Sequence, residues 1–139
     1  MKKNILVDTS CVYALVDTSA REHAAVAQIV RASARHLVLP APVLPKVCYL
    51  IHSRLGHTVM RRFLNELAVS GPQLESVQQG DLQRITAILD QYADARLDFV
   101  DAAIIVIAER LDVTRILTLD RRDFSIVRPR HCEFFELLP

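Results

Sequence analysis

Asn4-Ile-Leu-Val-Asp-Thr-Ser10 joins a short apolar run, of the kind that forms a strand buried on both faces, to three residues that favour turns and helix caps. A strand therefore ends at Asp8, with a carboxylate at its carboxyl end. The same pattern recurs along the chain. Leu37-Val-Leu39 is closed by Pro40, Leu74 to Val77 suits a third strand, and Arg115-Ile-Leu-Thr-Leu119 runs into Asp120. Cys132-Glu-Phe-Phe-Glu-Leu137 alternates as a late edge strand would. Between these lie helical stretches. Ser19 to Ala34 places Ala25, Ile29 and Ala32 at three- and four-residue spacing. Val43 to Leu55 holds Pro45 in its first turn and stops at Gly56, and Thr58 to Val69 is closed by Ser70-Gly-Pro72. Asp81 to Tyr92 has Asp81 as its expected cap. Asp101 to Leu111 is apolar all round and so expected to be buried. Strands separated by helices call for a parallel sheet with helices on both faces.

With 139 residues and no internal repeat, low-complexity tract or long linker, the chain is expected to form one domain over 1–139. Hydrophobic residues make up 51% and charged ones 24%, a composition that folds rather than stays disordered. No apolar run reaches the ~18 residues of a membrane span, and the N-terminal apolar run is too short for a signal peptide, so a cytoplasmic, membrane-free protein is expected. Cys11, Cys48 and Cys132 are odd in number, widely spaced and set among apolar residues, which reads as buried free thiols. A formal net charge of +1 gives little global attraction to nucleic acid. Any such binding must come from local clusters: Arg54 with His57, Arg61 and Arg62, Arg121 with Arg122, or Arg128 with Arg130. Taken alone, each of these reads first as a solvated face.

In an open parallel sheet, ligands sit beyond the carboxyl ends of the strands, where strand order reverses. Asp8 and Asp120 each follow a strand, and Asp101 opens the helix before the Asp120 strand. If the two strands are neighbours, their carboxylates come within reach of one ion. Such oxygens suit Mg²⁺ and serve phosphodiester hydrolysis, in which a bound metal activates water and stabilises charge on phosphate. The bland alternative is that all three acids only cap helices or turns.

Asp8-Thr-Ser10 after an N-terminal strand, Asp101-Ala-Ala103 opening an apolar helix, and Thr118-Leu-Asp-Arg-Arg-Asp-Phe124 near the end resemble the PIN domain. In this order and spacing, over essentially the whole chain, they resemble in particular the VapC-type toxins of bacterial toxin-antitoxin pairs. The resemblance implies a three-layer α/β/α sandwich with a central, mostly parallel sheet, usually dimeric, acting as an endoribonuclease with Mg²⁺ or Mn²⁺. Asp8, Asp101 and Asp120 match the motif's metal ligands. Asp123 is expected in the outer shell, and Thr9 and Ser10 bonded to a ligating water or to Asp8. Arg121 and Arg122 are expected to hold RNA phosphates, with Arg96 and Arg54 ranked below them, while Asp94 and Asp98 read as solvated loop acids. A cognate antitoxin is also implied, its C-terminal peptide wrapping the toxin and pushing a basic side chain into the acids.

One position departs from the pattern. PIN toxins carry a glutamate near the start of the helix after the second strand; in Pro42-Val-Leu-Pro-Lys-Val-Cys-Tyr-Leu50 its place falls on Lys46, and no acid lies between Glu22 and Glu66. An ammonium about 4 Å from a dication is repelled by ~8 kcal/mol at an effective dielectric of about 20, a ceiling because the stem can swing away. Lys46 is thus expected to pair with Asp8, Asp101 or Asp120, imitate the antitoxin's basic plug and weaken metal binding and catalysis. A non-catalytic PIN-fold module that binds antitoxin or RNA without cleavage is the rival class. An aspartyl phosphatase would want an acid two residues after Asp8, where Ser10 stands.

Overall fold

The computed structural model describes residues 4–139. Five strands, β1 Ile5–Val7, β2 Leu37–Pro40, β3 Gln73–Glu75, β4 Arg115–Leu117 and β5 Glu136–Leu138, form one sheet in the order β3-β2-β1-β4-β5. All four pairings are parallel; Leu6 sits opposite Val38 on one side and Ile116 on the other. Helices α1 Thr9–Val16, α2 His23–Ala32, α3 Val43–Leu55, α4 His57–Ser70, α5 Asp81–Gln91, α6 Phe99–Leu111 and α7 Arg121–Ile126 connect them.

Strand order explains the layers. From β1 through β2 to β3 the chain steps one way, so right-handed crossovers put α1 to α4 on one face; the step back from β3 to β4 puts α5 and α6 on the other. Packing agrees, with α1 against α2 and α3, α3 against α4, and α6 against α5 and α7. The result is the three-layer α/β/α sandwich. Its centre is α6, buried at every position from Asp101 to Ala108, as its apolar circumference requires. Ile104, Ile105 and Ile107 pack in one core with Ile5, Leu6, Ile116 and Phe124, each fully buried side chain contributing roughly 1.5–3 kcal/mol. Gly56, at φ 103°, ends α3 and opens α4, a turn that any side chain would strain.

Several boundaries fall elsewhere than the sequence suggests. Thr9–Val16 is helical at once, because Asp8 caps it directly; the region expected to be a turn is only the cap, and α2 starts at His23 rather than Ser19. Helix α6 starts at Phe99 with Asp98 as its cap, which moves Asp101 from the first position into the first turn. Gly80, not Asp81, stands at the α5 cap; the Asp81 carboxylate instead accepts from the Gln78 N–H (2.9 Å) and pairs with Arg110. Strand β3 begins at Gln73, and β5 occupies only Glu136–Leu138, since the alternation of 132–137 belongs to an irregular approach. Asp120 to Asp123 opens helix α7 rather than a simple turn. Cys11 is buried and Cys48 and Cys132 half-buried, all three free. Among the described residues, no helix is long and apolar enough to cross a membrane.

A second polar region ties the layers together. Arg84 of α5 donates two parallel bonds to Glu109 of α6 (3.0 and 2.9 Å), and Glu109 also accepts from the Arg130 N–H (2.8 Å). Arg110 of α6 reaches Glu75 of β3 (2.8 Å), Asp81 of α5 (3.2 and 3.1 Å) and the Ser76 carbonyl (2.9 Å).

Candidate active site

Strands β1 and β4 are neighbours, and the strand order reverses between them. The crevice outside their carboxyl ends is where an open parallel sheet holds its ligand. There a cavity of about 280 Å³ is lined by Asp8, Thr9, Ser10, Lys46, Leu50, Arg96, Asp98, Asp101, Asp120 and Asp123.

Asp8 is fixed by both strands it serves. Its Oδ1 accepts from the Thr9 N–H (2.7 Å), and its Oδ2 accepts from the hydroxyls of Ser10 (3.1 Å) and Thr118 (2.8 Å). These three bonds use three of a carboxylate's roughly four acceptor positions. Thr118, fully buried just past β4, accepts in turn from the Asp120 N–H (2.9 Å), and Ser10 accepts from the Leu119 N–H (2.9 Å). Two hydroxyls thus clip the end of β1 to the end of β4. Thr118 lies in a motif quoted above, yet its role went unseen; the available signal was a lone hydroxyl in an apolar strand, which must find a partner when buried.

Asp101 and Asp98 form a capping box at α6: the Asp101 N–H donates to Asp98 Oδ1 (2.9 Å), and the Asp98 N–H reaches back to Asp101 Oδ2 (3.5 Å). Asp120 caps α7 by accepting from the Asp123 N–H (3.3 Å). Capping and clustering are therefore compatible. One carboxylate oxygen from each of Asp101, Asp120 and Asp123 falls within 4.8 Å of the others. Asp123 thus stands level with Asp101 and Asp120, and Asp8 lines the same cavity.

The electrostatics follow. Burial, then the charges of Asp98 and Asp8, push the Asp101 carboxyl up to about 8. Burial also raises Asp8, against the bonds from Thr118, Thr9 and Ser10, and raises Asp120, beside Asp123. Asp98 goes the other way: its burial is outweighed by the Asp101 N–H and by Lys46. Lys46, on α3, donates to Asp98 Oδ2 at 3.1 Å, both side chains about half exposed. This corrects two expectations. Asp98, though about half exposed, is the α6 cap rather than a free loop acid, and Lys46 pairs with it rather than with Asp8, Asp101 or Asp120. The reason is geometric: the α6 cap, in which Asp98 accepts from the Asp101 N–H, sets the Asp98 carboxylate within reach of the lysine. Asp94, by contrast, is exposed in a short 3-10 turn, Ala93–Ala95, as expected.

The basic residues divide. Arg96, left-handed at φ 57°, lines the cavity. Arg122 reaches Asp123 (3.2 Å), while Arg121 turns to the carbonyls of Leu137 and Pro139 (3.4 Å each) and lines a different groove. Arg54 lies over the Tyr13 ring at 5.2 Å. His23 meets the Ala14 carbonyl through Nδ1 (2.9 Å), a packing role.

An all-oxygen set of buried and half-buried acids, with Asp101 pushed up to about 8, fits a hard divalent cation, which would relieve the mutual repulsion. The Thr9 hydroxyl, buried beside Asp8 with no partner among the described residues, fits a ligand-bearing cavity as well.

Comparison with known proteins points the same way. The PIN domain family profile matches residues 5–128. Ribonuclease VapC26 of Mycobacterium tuberculosis (strain ATCC 25618 / H37Rv) is 34% identical over 135 residues, covering 97% of this chain and all of that one. Among solved structures, Mycobacterium tuberculosis VapC20, a Sarcin-Ricin loop cleaving toxin, superposes with a TM-score of 0.84 at 18% identity over 98% of this chain and 100% of its own. A toxin-antitoxin complex from Klebsiella pneumoniae gives 0.67 at 20% identity, over 88% and 91%.

Proposed function

The chain belongs to the PIN domain family as a VapC-type protein, and on that premise we propose that it is a toxin ribonuclease, cutting RNA endonucleolytically with Mg²⁺ or Mn²⁺ and held in check by a cognate antitoxin. The observation that carries this reading is the convergence of Asp101, Asp120 and Asp123 within 4.8 Å beside Asp8, at the point where strand order reverses.

Asp101, Asp120 and Asp123 would hold the ion, with Asp8 contributing its remaining acceptor position. When bound, the ion would activate water and stabilise charge on the phosphate and leaving oxygen. The chain's own part is preorganisation. Thr118 and Ser10 lock Asp8 to the end of β4, the α6 capping box sets Asp101, and the α7 cap sets Asp120 against Asp123. Thr9 is placed to bond a ligating water. Arg122, at Asp123, and Arg121 would meet RNA phosphates outside the cavity. The chain would act as one domain and, as is usual for this family, as a homodimer.

Lys46 adds a positive charge where the family has a ligand, so ion affinity and turnover are lower here than in a protein with glutamate at this position. The pairing of Lys46 with Asp98 at the cavity also favours a second reading, a PIN-fold module that binds antitoxin or RNA without cutting. Titration with Mn²⁺ and Mg²⁺ on an RNA substrate separates them: the ribonuclease reading expects cleavage that needs the ion and is lost in Asp120→Asn. No cleavage by either the native chain or Lys46→Glu would leave the binding module.

A further inference from the structure

The acidic cavity has a cationic rim. Lys46 spends one of its three N–H donors on Asp98, at 3.1 Å, and is about half exposed; Arg96, from the turn before α6, lines the same cavity, exposed and in no ion pair among the described residues. The left-handed backbone of Arg96, uncommon outside glycine and asparagine, turns the chain from the 3-10 turn toward the α6 cap and brings its side chain to the cavity wall. Two exposed aromatics stand close in sequence to cavity-lining residues. Tyr49, three residues after Lys46 and so on the same face of α3, is 71% exposed, and Phe99, beside Asp98, is 46% exposed.

We propose that Lys46 and Arg96 form a phosphate-binding pair that takes a phosphodiester of single-stranded RNA, with Tyr49 and Phe99 as stacking surfaces for its bases. The proposal rests on the ribonuclease reading and deepens it: the lysine that weakens the ion's hold serves the substrate's anion. The ammonium bonds Asp98 rather than Asp101, Asp120 or Asp123, which leaves those three carboxylates to an ion and the remaining N–H donors to a phosphate. A floor of carboxylates repels a phosphodiester by itself, and cations above it are what allow the approach. Cationic groups alternating with exposed aromatic rings suit a single strand, whose unstacked bases find the rings. A duplex, its bases already stacked, does not use them.

The test is fluorescence anisotropy of a labelled single-stranded RNA in magnesium, in the cold, with intact RNA verified by gel and the salt dependence recorded. Lys46→Ala and Arg96→Ala are each expected to weaken binding roughly tenfold and to reduce the salt slope by about 0.7, the loss of one phosphate contact. Lys46→Arg restores the slope. Arg21→Ala, the same charge change on an exposed residue outside the cavity, leaves both values as they were. An exposed ion pair contributes little to stability, so the variants fold, and thermal melts verify this. Unchanged affinity and slope in both alanine variants, in a native chain that cuts RNA, overturn the pair and leave the ribonuclease reading standing. The expected losses in a native chain that cuts nothing overturn the ribonuclease reading and leave the pair. A native chain that binds no single-stranded RNA, or binds duplex equally well, overturns the pair whatever its activity.

Discussion

Two groups of carboxylates are built into opposite parts of this molecule, and their surroundings differ in one respect. Glu75, Asp81 and Glu109, between β3, α5 and α6, meet Arg84 and Arg110 at 2.8–3.2 Å. Asp8, Asp101 and Asp120, at the carboxyl ends of β1 and β4, are in no ion pair with a lysine or arginine among the described residues. Both groups are largely buried. In the first, the Arg84 guanidinium and the Arg130 N–H outweigh burial and hold Glu109 below the usual carboxylate range; in the second, burial wins and Asp101 rises to about 8. A buried acid with its cation built in is a fastener. Buried acids left without one store repulsion that an external cation relieves, at a cost to the stability of the empty protein.

Exchanging one residue in each group gives the sharpest contrast. Asp120→Asn is expected to lower ion-dependent RNA cleavage by ~100-fold or more while the melting temperature holds or rises, because a repulsive charge is removed. Glu109→Ala should do the reverse: it leaves Arg84 buried without its partner and lowers stability by ~3 kcal/mol in denaturant titration, with cleavage per folded molecule unchanged. If both variants lose activity and stability together, the two groups are not functionally distinct.

The pH response separates them next. Asp101 has a folded value of about 8 against an ordinary 3.8, so between these pH values the folded state binds more protons than the unfolded one. Stability of the ion-free protein should therefore fall as pH rises from about 4 to about 8. Asp98 and Glu109, held low, act in the other window: their contribution is lost as pH falls below the ordinary carboxylate range. Thermal melts across pH should show this fall in the native chain and a shallower one in Asp101→Asn, where the raised Asp8 and Asp120 still contribute; an unchanged slope in that variant would place the effect elsewhere.

Much of this arrangement was legible in the sequence, and the misses have physical reasons. The alternation of apolar runs with helical stretches gives the parallel sheet, and Asp8 and Asp120 are readable because each follows a strand. Strand order is not in the pattern, so the adjacency of β1 and β4, which brings the acids together, needed the structure. Asp98, read as a solvated loop acid, and Thr118, given no role, escape the sequence for a shared reason: each acts through a partner supplied by the fold, Asp98 by capping α6 and receiving Lys46, Thr118 by donating to an aspartate 110 residues away. Helix α1 was missed because Thr9 and Ser10 look like turn residues, whereas here they follow directly on the cap.

Smaller effects refine the comparison. Thr118→Val keeps the shape but removes the donor to Asp8 and the acceptor for the Asp120 N–H; it should weaken Mn²⁺ affinity by ~10-fold to ~100-fold, read by calorimetry. Lys46→Glu should raise that affinity by about tenfold, since it removes a positive charge from the cavity and adds an oxygen ligand. An affinity indifferent to residue 46 would detach this position from the ion.

The most direct measurement is anomalous diffraction from crystals soaked in manganese. A single peak bound by carboxylates of Asp101, Asp120 and Asp123, with none at Glu75, Asp81 or Glu109, is the predicted result. No peak at Asp101, Asp120 and Asp123 at saturating manganese, or an ion at Glu75, Asp81 and Glu109 instead, would contradict it.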